Sequence, residues 1–292
     1  MIKMKTRISL TGHSVYYRYD NLRVIIIGMV LLFFIICTIF PFYWLITASI
    51  KSDEHIITSQ FYLIPPRITI EHYVNIFAYA NIGRHFVNTV IVAAITVVVC
   101  LCAIIPAAYA LSVLKVKGRF FISRFILALQ MIPTILLVIP LFIILQTLGL
   151  INTYWALILS YTTFTIPFCF LLLSSYFAGL PNELFESAHL DGASSFYSLI
   201  RIALPLTTPG IITTGTYSFL MGWNDFLFAN TFTSSANVRT LCVEVIRLVG
   251  TWGTQWGNLA AGASVTVLPV IILFLLANKY IISGLTAGAV KG

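Results

Sequence analysis

The chain has 292 residues, of which 59% are hydrophobic and only 9% are charged, and its 17 Lys and Arg outnumber its 9 Asp and Glu to give a formal net charge of +8. A soluble domain carries about 25% charged residues, so this composition excludes an ordinary soluble enzyme. The basic residues are sparse and not clustered on one face, as nucleic-acid binding would require. We therefore expect a membrane protein without a nucleic-acid partner, in contact with lipid.

Six stretches are apolar enough over about 20 residues to cross a bilayer. They cover residues 24–47, 86–112, 122–146, 154–177, 205–229 and 263–282. The sequence therefore predicts an all-α membrane protein with six transmembrane helices, divided into a segment 1–23, a permeation domain 24–282 and a tail 283–292. The first apolar run exceeds the 7 to 15 residues of a signal-peptide core, which predicts an uncleaved first span.

The Lys and Arg residues favour one orientation of these spans. A cytoplasmic N-terminus places most of them on the cytoplasmic side, namely Lys3, Lys5, Arg7, Arg18, Arg23, Lys115, Lys117, Arg119, Arg124, Arg201, Lys279 and Lys291. The others, outside, are Lys51, Arg67, Arg84, Arg239 and Arg247. Because cytoplasmic loops are enriched in Lys and Arg, the pattern predicts that both termini are cytoplasmic.

Prolines and cysteines add less. Proline recurs inside the predicted spans at Pro106, Pro133, Pro140, Pro167 and Pro269. Each removes a backbone hydrogen bond and tends to kink its helix, either to shape a pathway or as a static kink relieved by neighbouring helices. The five cysteines show neither a disulfide framework nor metal-ligand spacing. We expect this chain to bind no metal and no other cofactor.

The connection over residues 181–205 has the clearest local signals. Pro181 and Asn182 suit the start of a helix, and Gly192 suits the left-handed conformation that ends one. Ser194 can cap a second helix, whose apolar residues recur at helical spacing. The pattern predicts a helical hairpin at the membrane surface, and by itself it is also consistent with an interfacial linker that rests on lipid.

The same segment resembles a known family. Glu186-Ser187-Ala188, followed by Gly192 and by Ile202, Leu204 and Pro205, resembles the EAA motif of ABC importer permeases, with Ser187 where the motif has alanine. Other stretches are similar to the maltose-transporter-type sugar permeases from about residue 24 onward: Asn88-Thr89, Ile132-Pro133, Gly149-Leu-Ile-Asn-Thr153, Gly222-Trp-Asn-Asp225 and residues 284–292. The resemblance implies a type I ABC importer permease fold in the bacterial inner membrane.

The resemblance also implies partners and roles. The partners would be a second, homologous permease, two ATPase subunits that bind ATP and magnesium, and an extracytoplasmic solute-binding protein. Coupling to the ATPase would involve Glu186, Ser187, Ala188, Asp191, Gly192, Ile202, Leu204 and Pro205. The C-terminal tail, with Thr286, Gly288 and Lys291, would contact the ATPase subunits. The sequence contains no G-x-x-x-x-G-K-[ST] motif for ATP phosphates, so we expect a transport subunit without enzymatic activity.

Candidate substrate contacts lie near the end of the fifth predicted span. Trp223, Asn224 and Asp225 offer an aromatic face and hydrogen-bonding groups that suit a sugar. The alternatives are an interfacial anchor for Trp223 and a helix-end cap for Asn224 and Asp225. Gln130 and Tyr161 are further candidates for the substrate pathway. By resemblance, the segment 230–262 would contact the binding protein, and we expect Trp252 and Trp256 there.

Two other functions remain open from the sequence. Related permeases carry a glycerol-phosphate ester, so that substrate is an alternative to a sugar or oligosaccharide. An ion-coupled secondary transporter would bury ionisable residues at mid-membrane despite a cost of about 2.5 to 3.5 kcal/mol each. The predicted spans have none there, and the five histidines lie outside their apolar cores. This pattern favours the ATP-driven importer.

Overall fold

The computed structural model describes residues 21–57, 60, 62–250 and 253–289, and among these the side chains of 23–57, 60, 62–250 and 254–280. The helices of the first half are α1 (Asn21–Ser49), α2 (Asp53–Ile56), α3 (Glu71–Ala78), α4 (Ile82–Ser112), α5 (Arg119–Gln130), a 3₁₀ turn (Thr134–Leu137) and α6 (Val138–Thr147). Next come α7 (Tyr154–Ala178), α8 (Asn182–Leu190), α9 (Ser195–Ser198), a π-helical turn (Leu199–Ala203), α10 (Leu204–Leu206) and α11 (Thr208–Asn224). The remainder is α12 (Leu227–Phe232), α13 (Leu241–Arg247), the antiparallel strands β1 (Val249–Gly250) and β2 (Gly253–Thr254), and α14 (Trp256–Ala289).

The described residues confirm an all-α membrane architecture. Four helices are long and apolar enough to cross a bilayer: Arg23–Ser49, Ile82–Ser112, Tyr154–Ala178 and Trp256–Tyr280. Two further spans are bent pairs, Arg119–Gln130 with Thr134–Thr147 at 90° and Ser195–Leu206 with Thr208–Asn224 at 80°. The count reaches the predicted six when each bent pair is taken as one span. The third and fifth spans are therefore sharply bent and not straight.

The break in the third span lies at Pro133. The amide of Met131 bonds the carbonyl of Ala128, so the last turn of α5 tightens before the proline interrupts the ladder. By contrast, Pro106, Pro167 and Pro269 lie inside helices that continue past them. Of these four prolines, therefore, only Pro133 coincides with a sharp bend.

The centre of the bundle is formed by α4, α7 and α11. Their interface is lined by small residues, and a Cβ added at Gly222 on α11 would lie 3.2 Å from the Cα of Ala93 on α4. Close backbone approach of this kind stabilises helix pairs in lipid, because the hydrophobic effect does not drive helices together there and van der Waals packing does. The helix α1 packs along α14, and its side chains from Arg23 to Tyr43 are exposed in the isolated chain.

The connections lie at two ends of the bundle. One end, which we call the hairpin end, holds α2, α3, α12, α13 and the β1–β2 hairpin; the other, the coupling-loop end, holds residues 179–204. At the hairpin end the Asn88 amide donates to the carbonyls of Asn237 and Arg239, at 3.0 and 2.8 Å. The Thr89 hydroxyl accepts the amide of Leu241 at 2.8 Å. Asn88 and Thr89, noted above for their resemblance, therefore fix an external segment to α4.

Candidate coupling and substrate sites

The hairpin predicted at residues 181–205 is present. The helix α8 begins after Pro181 and ends before Gly192, whose φ is +83°. The amides of Gly192 and Ala193 bond back to α8, at the carbonyls of His189 and Ala188. The Ser194 hydroxyl accepts the amide of Tyr197 at 3.2 Å and caps α9. The local signals in the sequence are therefore confirmed, while the coupling role of these residues stays a prediction.

One side of the hairpin is anchored in the core of the bundle. Leu199 and Ala203, on the π-helical turn, are buried in a cluster that includes Tyr109 of α4 and Phe177 of α7. Phe185 of α8 packs against the same cluster at its edge, with its ring centroid 6.0 Å from that of Tyr109. A displacement of the hairpin would therefore act directly on α4 and α7.

The other side of the hairpin exposes apolar side chains. Leu190 is 88% exposed and Phe196 is 70% exposed. Glu186 and Asp191 are exposed beside them. Apolar residues in a patch rimmed by charge are typical of a protein-protein contact.

The predicted tail contacts lie largely beyond the described side chains. The backbone of α14 stays helical to Ala289, so the helix runs through Thr286 and Gly288, whose side chains are outside the described set. Lys291 lies outside the described residues altogether. The ATPase-contacting role of the tail therefore stays a prediction.

Trp223 is buried where the sequence had left a substrate contact or an interfacial anchor open. Its side chain is 1% exposed, its indole nitrogen donates to the carbonyl of Thr266 at 3.1 Å, and its ring stacks on Phe219. The hydrogen bond to Thr266 joins α11 to α14, and the burial of the side chain is inconsistent with an interfacial anchor. In this conformation the ring has no free face for a sugar, and a pathway role for Trp223 stays a prediction.

Asp225 and Tyr161 are brought together by the fold. The Tyr161 hydroxyl donates to Asp225 Oδ2 at 2.8 Å, and the amide of Ala229 donates to the same oxygen at 3.0 Å. Asp225 therefore caps the start of α12 while it accepts a hydrogen bond from α7. Asn224 is exposed beside it, and Gln130 is exposed on a different element, at the end of α5. Their contact with substrate stays a prediction.

The expected binding-protein contacts flank the β-hairpin. Trp252 lies outside the described residues, whereas Trp256 is 52% exposed at the start of α14. Trp256 lines a cavity of about 240 Å³ with Trp44, Lys51 and His55. Burial lowers the pKa of the Lys51 amine, whose nitrogen donates to the carbonyl of Tyr62 at 2.6 Å and lies 4.1 Å from the ring centroid of Trp44.

One polar cluster at the hairpin end had no signal in the sequence. Glu244 Oε2 accepts from Arg239 Nη1 at 2.8 Å and lies 3.7 Å from His85 Nε2. The other ring nitrogen of His85 is 3.0 Å from the carbonyl of Arg239. His85 lies 154 positions before Arg239 along the chain, and no motif connects it to Arg239 and Glu244.

Comparison with known proteins decides the family. The family described as "Binding-protein-dependent transport system inner membrane component" matches residues 100–286. The chain belongs to this family of ABC transporter permeases. Its fold is similar to that in the crystal structure of a bacterial ABC transporter involved in the import of the acidic polysaccharide alginate, with a TM-score of 0.79 at 22% identity over 91% of this chain and 99% of that one. The type I permease fold is thereby confirmed.

Relatives within this permease family cover nearly the whole chain. The inner membrane ABC transporter permease protein YcjP of Escherichia coli (strain K12) is 40% identical over 89% of this chain and 93% of its own. The trehalose/maltose transport system permease protein MalG of Thermococcus litoralis is 38% identical over 92% and 97%. The sulfoquinovosyl glycerol transport system permease protein SmoH of Agrobacterium fabrum is 32% identical over 99% and 100%. These similarities place the chain among multi-pass sugar ABC importer permeases.

Proposed function

We propose that the chain is the transmembrane permease subunit of an ATP-driven, binding-protein-dependent importer for a sugar or oligosaccharide. It works with a second homologous permease, two separate ATPase subunits and an extracytoplasmic binding protein. The observation that carries the proposal is the hairpin at residues 181–205, which is exposed on one side and anchored in the bundle on the other side. This is the geometry that a mechanical link between two subunits requires.

The coupling step follows from the packing of that hairpin. The ATPase pair would contact the exposed side of the hairpin through Leu190 and Phe196. Glu186 and Asp191 would be available to pair with basic residues of the ATPase. Closure of the pair on ATP would move α8, and the buried Leu199 and Ala203 would carry that movement into α4 and α7. The bundle then alternates between openings on its two sides.

The bend of the third span supports a substrate pathway beside Gln130. Non-helical backbone is tolerated at membrane depth only where it is covered by protein or lines a water-filled cavity. In the isolated chain the side chains on both sides of the break are exposed, with Met131 at 83%. This face therefore suits the second permease and the aqueous path between the two subunits better than it suits lipid. The Gln130 amide would lie on that path.

The substrate class is proposed from the relatives together with the composition of the spans. Two of the relatives named above are permeases for trehalose and maltose and for sulfoquinovosyl glycerol. The predicted spans of this chain carry few ionisable groups, which favours a neutral sugar over a glycerol-phosphate ester. By the same reasoning, neither a proton relay nor an ion pathway is supported.

The proposed location is the bacterial inner membrane with both termini in the cytoplasm. The coupling-loop end would then face the ATPase subunits, with ATP and magnesium on those subunits, and Thr286, Gly288 and Lys291 of the tail would contact the ATPase pair. The hairpin end would face outward, where Trp252 and Trp256 would meet the binding protein. The distribution of Lys and Arg supports this orientation.

The proposal is tested by purifying the tagged chain from its native membrane and reconstituting it in proteoliposomes with the subunits that co-purify. We expect an ATPase subunit and a second permease to co-purify. We also expect uptake of a sugar that needs ATP and the binding protein and that continues when an ionophore dissipates the membrane potential. Purification without any ATPase subunit, or uptake abolished by the ionophore alone, would contradict the proposal.

A further inference from the structure

The hairpin end contains a polar cavity that has no part in the coupling or pathway proposed above. It has a volume of about 460 Å³ and lies between α3, α13 and α14. Its polar wall consists of Asn75, Tyr79, Glu244, Gln255 and Asn258. The volume falls within the range of about 300 to 1,000 Å³ found for small-molecule sites. Ile76 and Leu248 give the cavity an apolar side.

The Glu244 carboxylate in this wall is held in place by two residues that do not line the cavity, Arg239 and His85. Glu244 is 13% exposed, and its ion pair with Arg239 and its approach to His85 both involve one oxygen, Oε2. The second oxygen is therefore the one left for a ligand in the cavity. A fixed acceptor costs less ordering on binding than a mobile one.

Two amides in the wall are likewise oriented by their neighbours. Asn258 is 8% exposed, and its Oδ1 lies 3.2 Å from Nδ1 of the buried His72. Its amide nitrogen donates to Gln255 Oε1. This pairing sets the direction of both side chains at the wall, and Asn75 lies across the cavity from them, on α3.

The composition of the wall selects the chemical class of ligand. Amide side chains both donate and accept hydrogen bonds, as hydroxyl groups do. The Tyr79 ring, 83% exposed, offers a flat apolar face to the carbon-bound hydrogens of a sugar ring. Among the described residues that line the cavity, the only formal charge is that of Glu244, and this charge repels anions.

We propose that the cavity between α3, α13 and α14 is a binding site for a neutral saccharide, separate from the transmembrane pathway and at the end of the bundle where the binding protein docks. The inference rests on the proposed function, because it places the site on the outer face of a sugar importer. A saccharide released by the binding protein would be retained there before it enters the pathway.

The test uses the whole transporter in nanodiscs without its binding protein. Saturation-transfer-difference NMR is recorded with trehalose, maltose and diacetylchitobiose. ATP-dependent import of each sugar is then assayed with the same complex in proteoliposomes to which the binding protein is added. We expect saturation transfer to the imported sugar, and binding weakened about three- to tenfold by Asn75→Leu or Tyr79→Ala, the effect of one lost polar or ring contact. Phe77→Ala, on α3 but outside the cavity wall, is the matched control and should bind as the unmodified complex does.

The outcomes separate this inference from the proposed function. Import of a sugar whose NMR signal is absent, or is unchanged by both cavity variants, would overturn the inference alone. Loss of binding-protein docking in Asn75→Leu with the sugar signal intact would show that the cavity holds a protein side chain, and would also overturn it. Failure of ATP-dependent import for every sugar in the panel would count against both.

Discussion

At the scale of single residues, Asp225 shows how one carboxylate can organise two elements. It accepts from Tyr161 on α7 and from the first turn of α12, so it fixes the point at which α11 ends and the external segment begins. Hydrogen bonds to a charged group are each worth about 1.5 to 3 kcal/mol. A structural role of this strength competes directly with the substrate role predicted for the same residue.

Substitutions at this pair distinguish the two roles. We expect Asp225→Ala to destabilise the protein by about 3 to 6 kcal/mol, because it removes both hydrogen bonds to the carboxylate and leaves the buried Tyr161 hydroxyl unpaired. Tyr161→Phe should cost about 1.5 to 3 kcal/mol, since only one hydrogen bond to the carboxylate is lost. Asp225→Asn should cost less than Asp225→Ala, because the amide oxygen can still accept. Thermal unfolding in detergent measures this order.

The same variants have an outcome that would contradict the structural interpretation. If Asp225→Asn unfolds at the unchanged temperature and yet abolishes uptake in proteoliposomes, the charge acts on the substrate and not on the fold. The exposed Asn224, changed to Ala, is the control. Its loss should leave the unfolding temperature unchanged.

The role of a residue could be predicted from the sequence where its hydrogen-bond partner lies within a few positions along the chain. Gly192 and Ser194 act on amides and carbonyls within a few positions, so helix-end chemistry alone identified them. The bond between Tyr161 and Asp225 spans 64 positions, and the pairing of His85 with Glu244 is longer still. Such contacts depend on helix packing, which a single sequence does not encode in any local pattern.

At the scale of elements, the coupling hairpin depends on a backbone conformation that only glycine adopts at low cost. With φ at +83°, a β-branched side chain at position 192 costs about 1 to 2 kcal/mol. The exposed position leaves room for the side chain itself, since no atom lies within 4 Å of an added Cβ. Such a substitution therefore acts on the backbone conformation, and it should change the direction of the turn between α8 and α9.

We expect Gly192→Val to uncouple the transporter. The complex should still assemble, because the apolar contact residues of α8 are intact, while sugar uptake falls at least about tenfold and ATP hydrolysis no longer responds to the binding protein. Uptake and ATPase assays on the same proteoliposomes measure this split. Gly118→Val is a matched control, because Gly118 has a φ of +85° and equally open surroundings in the other connection at the coupling-loop end; normal coupling in Gly192→Val would contradict the prediction.

The bend in the third span is a second property of an element. If Pro133 maintains it, Pro133→Ala restores a backbone donor and should straighten the span. Spin labels at Ser123 and Gln146 should then move apart in double electron-electron resonance. Pro106→Ala is the control, because Pro106 lies inside a continuous helix, and an unchanged distance in Pro133→Ala would show that packing against α7 holds the bend.

The elements were predictable to the extent that apolarity defines them. The six apolar runs correspond to the four continuous helices and the two bent pairs. Hydropathy did not reveal the break in the third span, because Met131 and Ile132 are as apolar as a helix interior. The fifth span was predicted to reach residue 229, but α11 ends at Asn224, because Asp225 leaves the helix to cap the next one. Bends of this kind arise from side-chain bonding and packing, which an average over a window cannot register.

At the scale of the whole molecule, the two ends of the bundle differ in how their polar groups are arranged. The coupling-loop end exposes large apolar residues beside carboxylates, which suits another protein. The hairpin end buries its polar groups in a network around Asn88 and Glu244, and it surrounds a cavity lined by amides. The proposed importer would require such asymmetry, because the binding protein and the ATPase would act from different sides.

Orientation in the membrane is the property of the whole molecule that remains a proposal, and cysteine labelling tests it. In a background with Cys37, Cys102 and Cys242 replaced by alanine, the fully buried Cys100 and Cys169 are protected from reagent. A single cysteine introduced at Ser187 should react with a membrane-impermeant maleimide only after cells are opened, because Ser187 lies at the coupling-loop end. One introduced at Gln255 should react in intact spheroplasts, because that residue is exposed at the hairpin end. The reverse pattern would place the basic connections outside and would contradict both the positive-inside prediction and the proposed docking of the ATPase.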